Sequence, residues 1–525
     1  MRMFSTGVFL AALAAASTGV RHPPVPTPNP CNSGLSLAPF DLVIRHARVM
    51  DGSGNPWVRA DVGVTGDRIT AVGQLDATGA TRVIDAHDQV LSPGFIDVHS
   101  HAAEGITRPA LRQAQPLLAQ GVTTFVGNPD GGGPVDLAAQ RAKLEKGGIG
   151  PNVALLIGHG SVRIAVLGRA KRAPSSAELV RMAELVRQGM REGAFGLSSG
   201  LFYAPASFAT TEEVIALAKV AAEYGGVYTS HIRDEGDYNI GVVAAVDEVI
   251  RIADEAHVTG IVSHMKALGP DNWGLSSTMI AHIDRARARG VPVFADQYPY
   301  DASSTSLRAA LLPDAAAPDA AIVHANLKRR GGADKIMIAS YAPDRALEGQ
   351  TLAQIAHARA QTAEAAAIAM LAKGEASIVS FNMSEADIEA IMRQPYTMAS
   401  SDGALVEAGA GKPHPRNDGA FARRLAVYVH DRHVVPLEFA IRSMTSLPAL
   451  VFGIRDRGTI RPGAFADLVI FDPDRIRDRA TYTDPQQLAT GVSYVLVNGT
   501  IVLDDGRFTA ALPGRVLRHE LPRQP

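Results

Sequence analysis

The stretch Gly94-Phe95-Ile96-Asp97-Val98-His99-Ser100-His101 decides the fold. It begins as an apolar strand and ends on two imidazoles two residues apart, which in extended chain project from one face. One such pair is weak, because surface or core histidines account for it better. Three further segments repeat the device: His231 ends Val227-Tyr228-Thr229-Ser230, His264 ends Gly260-Ile261-Val262-Ser263, and Asp402 follows Met398-Ala399-Ser400-Ser401. Histidine and carboxylate at the C-terminal ends of four expected strands point to a metal centre at the mouth of a barrel.

Working outward, strand-like runs at 94–99, 122–126, 153–157, 195–198, 227–231, 260–264, 291–296 and 397–401 alternate with helical patterns at Ser176 to Glu192, Glu212 to Glu223 and Val242 to Ala256. Alternating strand and helix means βαβ units and a parallel sheet. Eight such strands close an α/β fold of the (β/α)8 TIM-like barrel type. Ser377 to Phe381 is a ninth candidate, and it falls within an insertion at about 303–393 that is too long to be bare loop. Short alternating runs at 41–44, 62–64, 69–72 and 82–84 read as a small antiparallel sheet, and the same texture returns at 466–471 and 492–499. The two ends can therefore pair into one β-sandwich. The expected organisation is a leader over 1–19, a Pro-rich linker over 20–38, sandwich pieces over 39–92 and 456–525, and the barrel over 93–455.

The leader rests on Arg2, an apolar run from Gly7 to Ala16 and the small-x-small pattern Ala14-Ala15-Ala16, so a signal peptide and a periplasmic or secreted protein are expected. The run is too short to span a bilayer, and no other segment makes a membrane span in the mature chain. The 525 residues carry 51 Lys and Arg against 53 Asp and Glu, a formal net charge of −2, which removes the electrostatic case for nucleic acid. The single cysteine, Cys31, excludes an intramolecular disulfide and any CxxC zinc site. Metal ligands must come from His and carboxylate. That donor set suits Zn2+, with Mn2+, Co2+ or Fe2+ permitted by affinity. Such an ion lowers the pKa of water toward ~7 and polarises a carbonyl. Asp402 is then the natural proton shuttle, although alone it would read as a loop aspartate before Gly403.

The chain resembles the metal-dependent amidohydrolase superfamily, and within it the N-acyl-D-amino-acid deacylases (D-aminoacylases). The segments that carry the likeness include GFIDVHSH at 94–101, QGVTTFVGN at 120–128, GHGSVR at 158–163, YTSHIRDEGD at 228–237, SHMKALG at 263–269, DQYPY at 296–300, SSDG at 400–403, HPR at 414–416 and RPGAFADLVIFDP at 461–473. The resemblance implies zinc-dependent hydrolysis of an N-acylated amino acid, one or two ions, and a related cyclic amide or dipeptide-like substrate as the alternative. It implies His99 and His101 as the first metal pair, His231 and His264 as the second, and Asp402 as catalytic acid/base. Tyr298 would hold the scissile carbonyl oxygen. Lys266, Arg233 and Arg416 are candidates for gripping the substrate carboxylate, with scaffold ion pairing the competing reading of each. His159 either lines the pocket or is a satisfied core histidine. A homo-oligomer is compatible with the sequence.

One departure matters. D-aminoacylases place a cysteine ligand in a G-N-C-G segment, where this chain has Gly127-Asn128-Pro129-Asp130. Either Asp130 or Glu104 substitutes, or one ion suffices, held by His99, His101, His231 and Asp402 with His264 behind them. The residue-level reading of Asp130 leans slightly toward a plain turn before Gly131 to Gly133. A binding protein without chemistry is the remaining alternative, and the presence of Asp402 speaks against it.

Overall fold

The structure is a computed structural model that describes residues 40–313 and 317–520. The expected leader, the Pro-rich linker and Cys31 lie outside the described residues. The first three strands, β1 (Leu42–Val49), β2 (Val58–Thr65) and β3 (Arg68–Gly73), are antiparallel as expected. The next two, β4 (Arg82–Asp85) and β5 (Val90–Pro93), correct the expectation, because both run parallel to β1. Alternation of apolar and polar residues fixes which face of a strand is buried and says nothing of its neighbour's direction. β4 takes the first half of β1 and β5 the second, so the sheet forks there. Ile84, Val62, Leu91 and Leu468 share one core between the layers.

The barrel follows: β6 (Phe95–Asp97), β7 (Val122–Gly127), β8 (Asn152–Leu155), β9 (Ile157–Gly158), β10 (Gly196–Gly200), β11 (Val227–His231), β12 (Thr259–Val262) and β13 (Val293–Gln297). β8 and β9 are two halves of one barrel strand, interrupted at Leu156. After the insertion, the eighth position is filled by β17 (Thr397–Ala399), which pairs parallel to β13. The ring closes between β17 and β6 just beyond both strands: the Asp402 N–H donates to His99 O at 2.9 Å and the His101 N–H to Gly403 O at 2.8 Å. These strands are buried on both faces, which is why they read as continuous apolar runs. The helices Ser176–Arg191, Thr211–Glu223 and Val242–Ala256 stand where the 3.6 periodicity predicts, with Met190, Leu217 and Val249 facing one shared core.

Between β13 and β17, the insertion forms β14 (Ser303–Ser306), β15 (Ile336–Ser340) and β16 (Ser377–Ser380) in the antiparallel order β14-β16-β15. It packs its own core from Leu311, Val323, Ile338, Ile355 and Met370. Its far boundary comes earlier than 393. The helix Glu385–Met392 packs on β13 and on the helix Ser276–Ala288, with Ile388, Ile391 and Met392 turned into the main cores, so it is a barrel helix. Past the barrel, β18 (Leu468–Phe471), β19 (Val492–Val497), β20 (Thr500–Asp504) and β21 (Arg507–Phe508) extend the first sheet. β18 lies antiparallel to β5, Leu468 opposite Pro93, so one nine-stranded sheet is built from both ends of the chain. Among the described residues no helix is long and apolar enough to cross a membrane.

Candidate metal centre

The rim of the barrel is set by two buried aspartates that face backbone. Asp97, at the end of β6, accepts from the Ser401 N–H at 2.9 Å, the His99 N–H at 3.3 Å and the Ser401 hydroxyl at 2.5 Å. It thereby clamps the chain leaving β6 to the chain leaving β17 and sets His99 beside Asp402. Asp296 does the same for the chain after β12, accepting from the His264 N–H at 2.9 Å.

Two groups of ligand atoms result. In the first, Asp402 Oδ1 lies 3.1 Å from His101 Nε2 and 3.6 Å from His99 Nε2, and Asp130 lies 3.3 Å from His99 Nε2 and 3.4 Å from His101 Nε2. In the second, His231 Nδ1 and His264 Nε2 are 2.8 Å apart, with Asp130 Oδ1 at 3.9 and 3.7 Å. Each group spans no more than 4.8 Å between its candidate ligand atoms. Asp130 belongs to both and stands between them.

The loop that delivers Asp130 explains the glycines around it. A Cβ on Gly158 would meet Gly132 O at 2.2 Å, and one on Gly200 would meet Asp130 O at 2.4 Å, so the loop can dip into the barrel mouth only over bare backbone. Ser198 fastens it there, its hydroxyl donating to Asn128 O at 2.7 Å and accepting from the Gly131 N–H at 3.1 Å. Asp130, His264 and Asp402 all have φ between 34° and 56°, a left-handed conformation uncommon outside glycine, and such conformations gather where function over-determines the backbone.

These residues fit a divalent metal. His99 Nε2 and Asp130 Oδ1 are buried and face each other at 3.3 Å, yet neither makes a hydrogen bond. Buried polar atoms are ordinarily paired, and two lone pairs aimed at one point are what a cation satisfies. Behind the second group, Glu235 Oε1 lies 3.0 Å from His264 Nδ1, the carboxylate–histidine arrangement that turns the other ring nitrogen toward a metal. Electrostatics divide the second pair. Burial and Lys266 both disfavour a charged His264, but Glu235, Asp402 and Asp130 outweigh them and raise it to about 10, so an ion bound there would have to displace that proton. Burial lowers His231 to about 4, with Glu235 opposing, so this imidazole stays neutral and free to ligate. Burial also opposes ionisation of Asp402, yet Arg416 and His264 hold its carboxyl well below the usual carboxylate range.

A cavity of about 480 Å³ opens onto this cluster, and Lys266, Tyr298, Arg330, Asp402 and Arg416 line it. Lys266 is ion-paired with Glu235, and Arg416 Nη1 lies 2.8 Å from Asp402 Oδ2. Both cations face the Tyr298 ring, Lys266 at 5.5 Å and Arg416 at 4.7 Å from its centroid.

Four expectations are corrected. Arg233 does not grip substrate: its guanidinium is spent on the Glu248 carboxylate, at 2.7 and 2.9 Å, and on Ser207 O, because the chain turns away after His231. His159 is a core histidine, 3.0 Å from Glu213, which also pairs with Arg163 at 2.5 Å. Breaking a buried trio of this kind costs about 3–5 kcal/mol, so its role is structural. Glu104 is exposed beside Arg108 and does not reach in. Nor does His231 join the first ligand group as a one-ion site would need; it pairs with His264. Asp130 is at once a turn residue and a member of both groups. The sequence reading missed Glu235, four residues beyond His231, and Arg330, which lies in the insertion without any periodic signal.

Comparison with known proteins agrees with this geometry. The profile Amidohydro_3, amidohydrolase family, matches residues 82–503. An N-acyl-D-glutamate deacylase of Alcaligenes xylosoxydans xylosoxydans is 38% identical over 504 residues, covering 92% of this chain and 97% of the relative. The crystal structure of an N-acyl-D-glutamate deacylase from Bordetella bronchiseptica, complexed with zinc and a phosphonate mimic of the tetrahedral intermediate, superposes with a TM-score of 0.80 at 37% identity, covering 91% of this chain and 99% of that one. A D-aminoacylase solved to define the role of its binuclear metal centre gives 0.81 at 35% identity, covering 91% of this chain and 100% of that one. With a profile match across the barrel and relatives matched along nearly their whole length, the chain belongs to the amidohydrolase family, among its D-aminoacylases.

Proposed function

We infer that the protein is a zinc-dependent deacylase that hydrolyses the amide bond of N-acyl-D-amino acids, giving a carboxylate and a free D-amino acid. The observation that carries this is one cavity holding both halves of the required chemistry: a ligand cluster with an adjoining acid/base at its floor, and the cations Lys266 and Arg416 in its wall. The solved relatives named for zinc and for a binuclear centre support the choice of ion. His99, His101, Asp402 and Asp130 would hold one ion, and Asp130, His231 and His264 a second. Zinc supplies Lewis acidity, acidifying water toward a pKa of ~7 and polarising the amide carbonyl.

The chain's own residues do the rest. Asp402 is anchored through Oδ2 by Arg416 and presents Oδ1 to the ligand cluster. There it takes the proton of the attacking water as the C–O bond forms, and returns it to the amide nitrogen as the C–N bond breaks. Arg416, whose Nε is buried without a hydrogen bond, and Lys266 offer a carboxylate-binding wall beside Tyr298. Release of free amine from a panel of N-acetyl-D- and N-acetyl-L-amino acids tests the reading. Turnover of the D series alone is expected; preference for the L series would refute the assignment. We further propose a periplasmic or secreted location, supported by the Arg2 to Ala16 pattern.

A further inference from the structure

We propose that a second cavity beside the ligand cluster seats the acyl tail of the substrate, so that the enzyme prefers medium-chain N-acyl groups to acetyl. The proposal rests on the deacylase reading and narrows its substrate at the acyl end. This cavity measures about 700 Å³ and shares only His101 and Asp130 with the one that holds Lys266 and Arg416. Its walls are the helices Ala102–Gly105 and Leu137–Glu145 and the loop that delivers Asp130. Ala103, Pro129, Pro134, Ala139 and Ala404 give it an apolar lining. Its polar side chains are largely spent on the protein itself. Asn128 and Gln140 exchange amide hydrogen bonds at 2.8 and 2.9 Å, Asp136 accepts from the Ala139 N–H at 2.8 Å, and the Thr107 hydroxyl donates to Glu104 O at 2.8 Å. Glu104 and Lys143 are exposed and keep their charges in water.

The two halves of an N-acyl amino acid leave the scissile carbonyl on opposite sides. Lys266 and Arg416 draw the carboxylate-bearing half into the polar cavity, where Ser303, Ser304 and Thr305 add hydroxyls. With the carbonyl over the ligand cluster, the acyl carbon then faces across His101 and Asp130 into the apolar one. A smaller cavity of about 210 Å³ also touches His101, but Arg416, His414 and Asn417 line it, so it belongs with the cations. The methyl of an acetyl group fills little of 700 Å³. A longer chain buries methylenes against the alanines and prolines, each worth roughly fourfold in affinity. A polar acyl group would surrender its water to walls whose amides are already paired.

The competing reading makes this cavity a water-filled cleft between two loops, with acetyl the natural group. Steady-state kinetics on the zinc-loaded enzyme separate the two, using the N-acetyl, N-butanoyl and N-octanoyl derivatives of D-leucine and of D-glutamate. In whichever series is turned over, kcat/KM should climb from acetyl to octanoyl by at least ~30-fold, chiefly through KM. Ala139→Phe, which fills the cavity from its helical wall, should cancel at least ~10-fold of that gain and change the acetyl derivative by less than about twofold. Calorimetric titration adds a readout free of turnover. Octanoate should bind the wild type at least ~30-fold more tightly than acetate and lose most of that advantage in Ala139→Phe. A rate that is flat or falls with chain length would overturn the acyl preference and leave the deacylase standing. So would an equal loss at every chain length in Ala139→Phe. Amine release from none of the substrates would remove the deacylase reading and this inference together.

Discussion

Asp130 and Asp402 are both acidic residues in left-handed turns at the barrel mouth, yet their surroundings assign them different work. Asp402 is gripped by a guanidinium on one oxygen and faces the imidazoles with the other. Among the described residues no Lys or Arg pairs with Asp130, which touches histidines of both groups. Replacing Asp402 with Asn should lower kcat by roughly 10²- to 10⁴-fold, the usual worth of a positioned acid/base, while at least one zinc per chain remains by elemental analysis. Asp130→Ala should instead lower the zinc content itself. If zinc is unchanged in Asp130→Ala, the bridging role is wrong. The histidines and Asp402 were legible in the sequence because a strand's end is a fixed address. Asp130 was only half legible: the missing cysteine pointed to it, but an aspartate before three glycines also has a local explanation in the turn, and only the folded loop shows its carboxylate reaching inward. Arg233 misled for the complementary reason. Two residues past a ligand it should share that ligand's face, but the extended chain ends at His231 and the alternation ends with it.

At the scale of elements, strands and helices of the barrel were readable because burial on two faces and the 3.6 period leave different marks. The parallel pairing of β4 and β5 left none, since neighbour and direction are set by where the chain crosses β1. The helix Glu385–Met392 was misplaced into the insertion because its apolar face does not say which core it will join. The helix Ser176–Arg191 shows local sequence acting on its own. Ser175 accepts from the Glu178 N–H at 3.3 Å, and Glu178 accepts from the Ser175 N–H at 2.8 Å, a complete capping box far from the cavity. Ser175→Ala should therefore cost about 1 kcal/mol in denaturant unfolding and leave kcat unaltered. A loss of activity without loss of stability would mean that this helix does more than cover the barrel.

For the whole molecule, metal and fold are coupled. His99, Asp130, His231, His264 and Asp402 come from five separate strand-end segments, so the two ligand groups, sharing Asp130, would between them tie five parts of the barrel together when loaded. A ligand that binds only the folded state stabilises it by about 4 kcal/mol at a thousandfold excess over its Kd. Chelation should lower Tm by several degrees, and zinc, but not magnesium, should restore it. A Tm indifferent to chelator would sever that coupling. The composite sheet was legible because the same alternating texture stands at both ends, but the strand that joins the ends was not. β5 pairs across to β18, Leu91 opposite Ile470, and runs directly into β6 and the first ligands. A ribosome making this chain emits β5 nearly four hundred residues before its partner, which at ~5–20 residues per second is roughly 20–80 seconds. Through that interval one edge of the sheet lies open, and Asp402 does not exist for most of it. The first ligand group thus closes late, and the ion it would hold can be locked in only after β17 and Asp402 have been made.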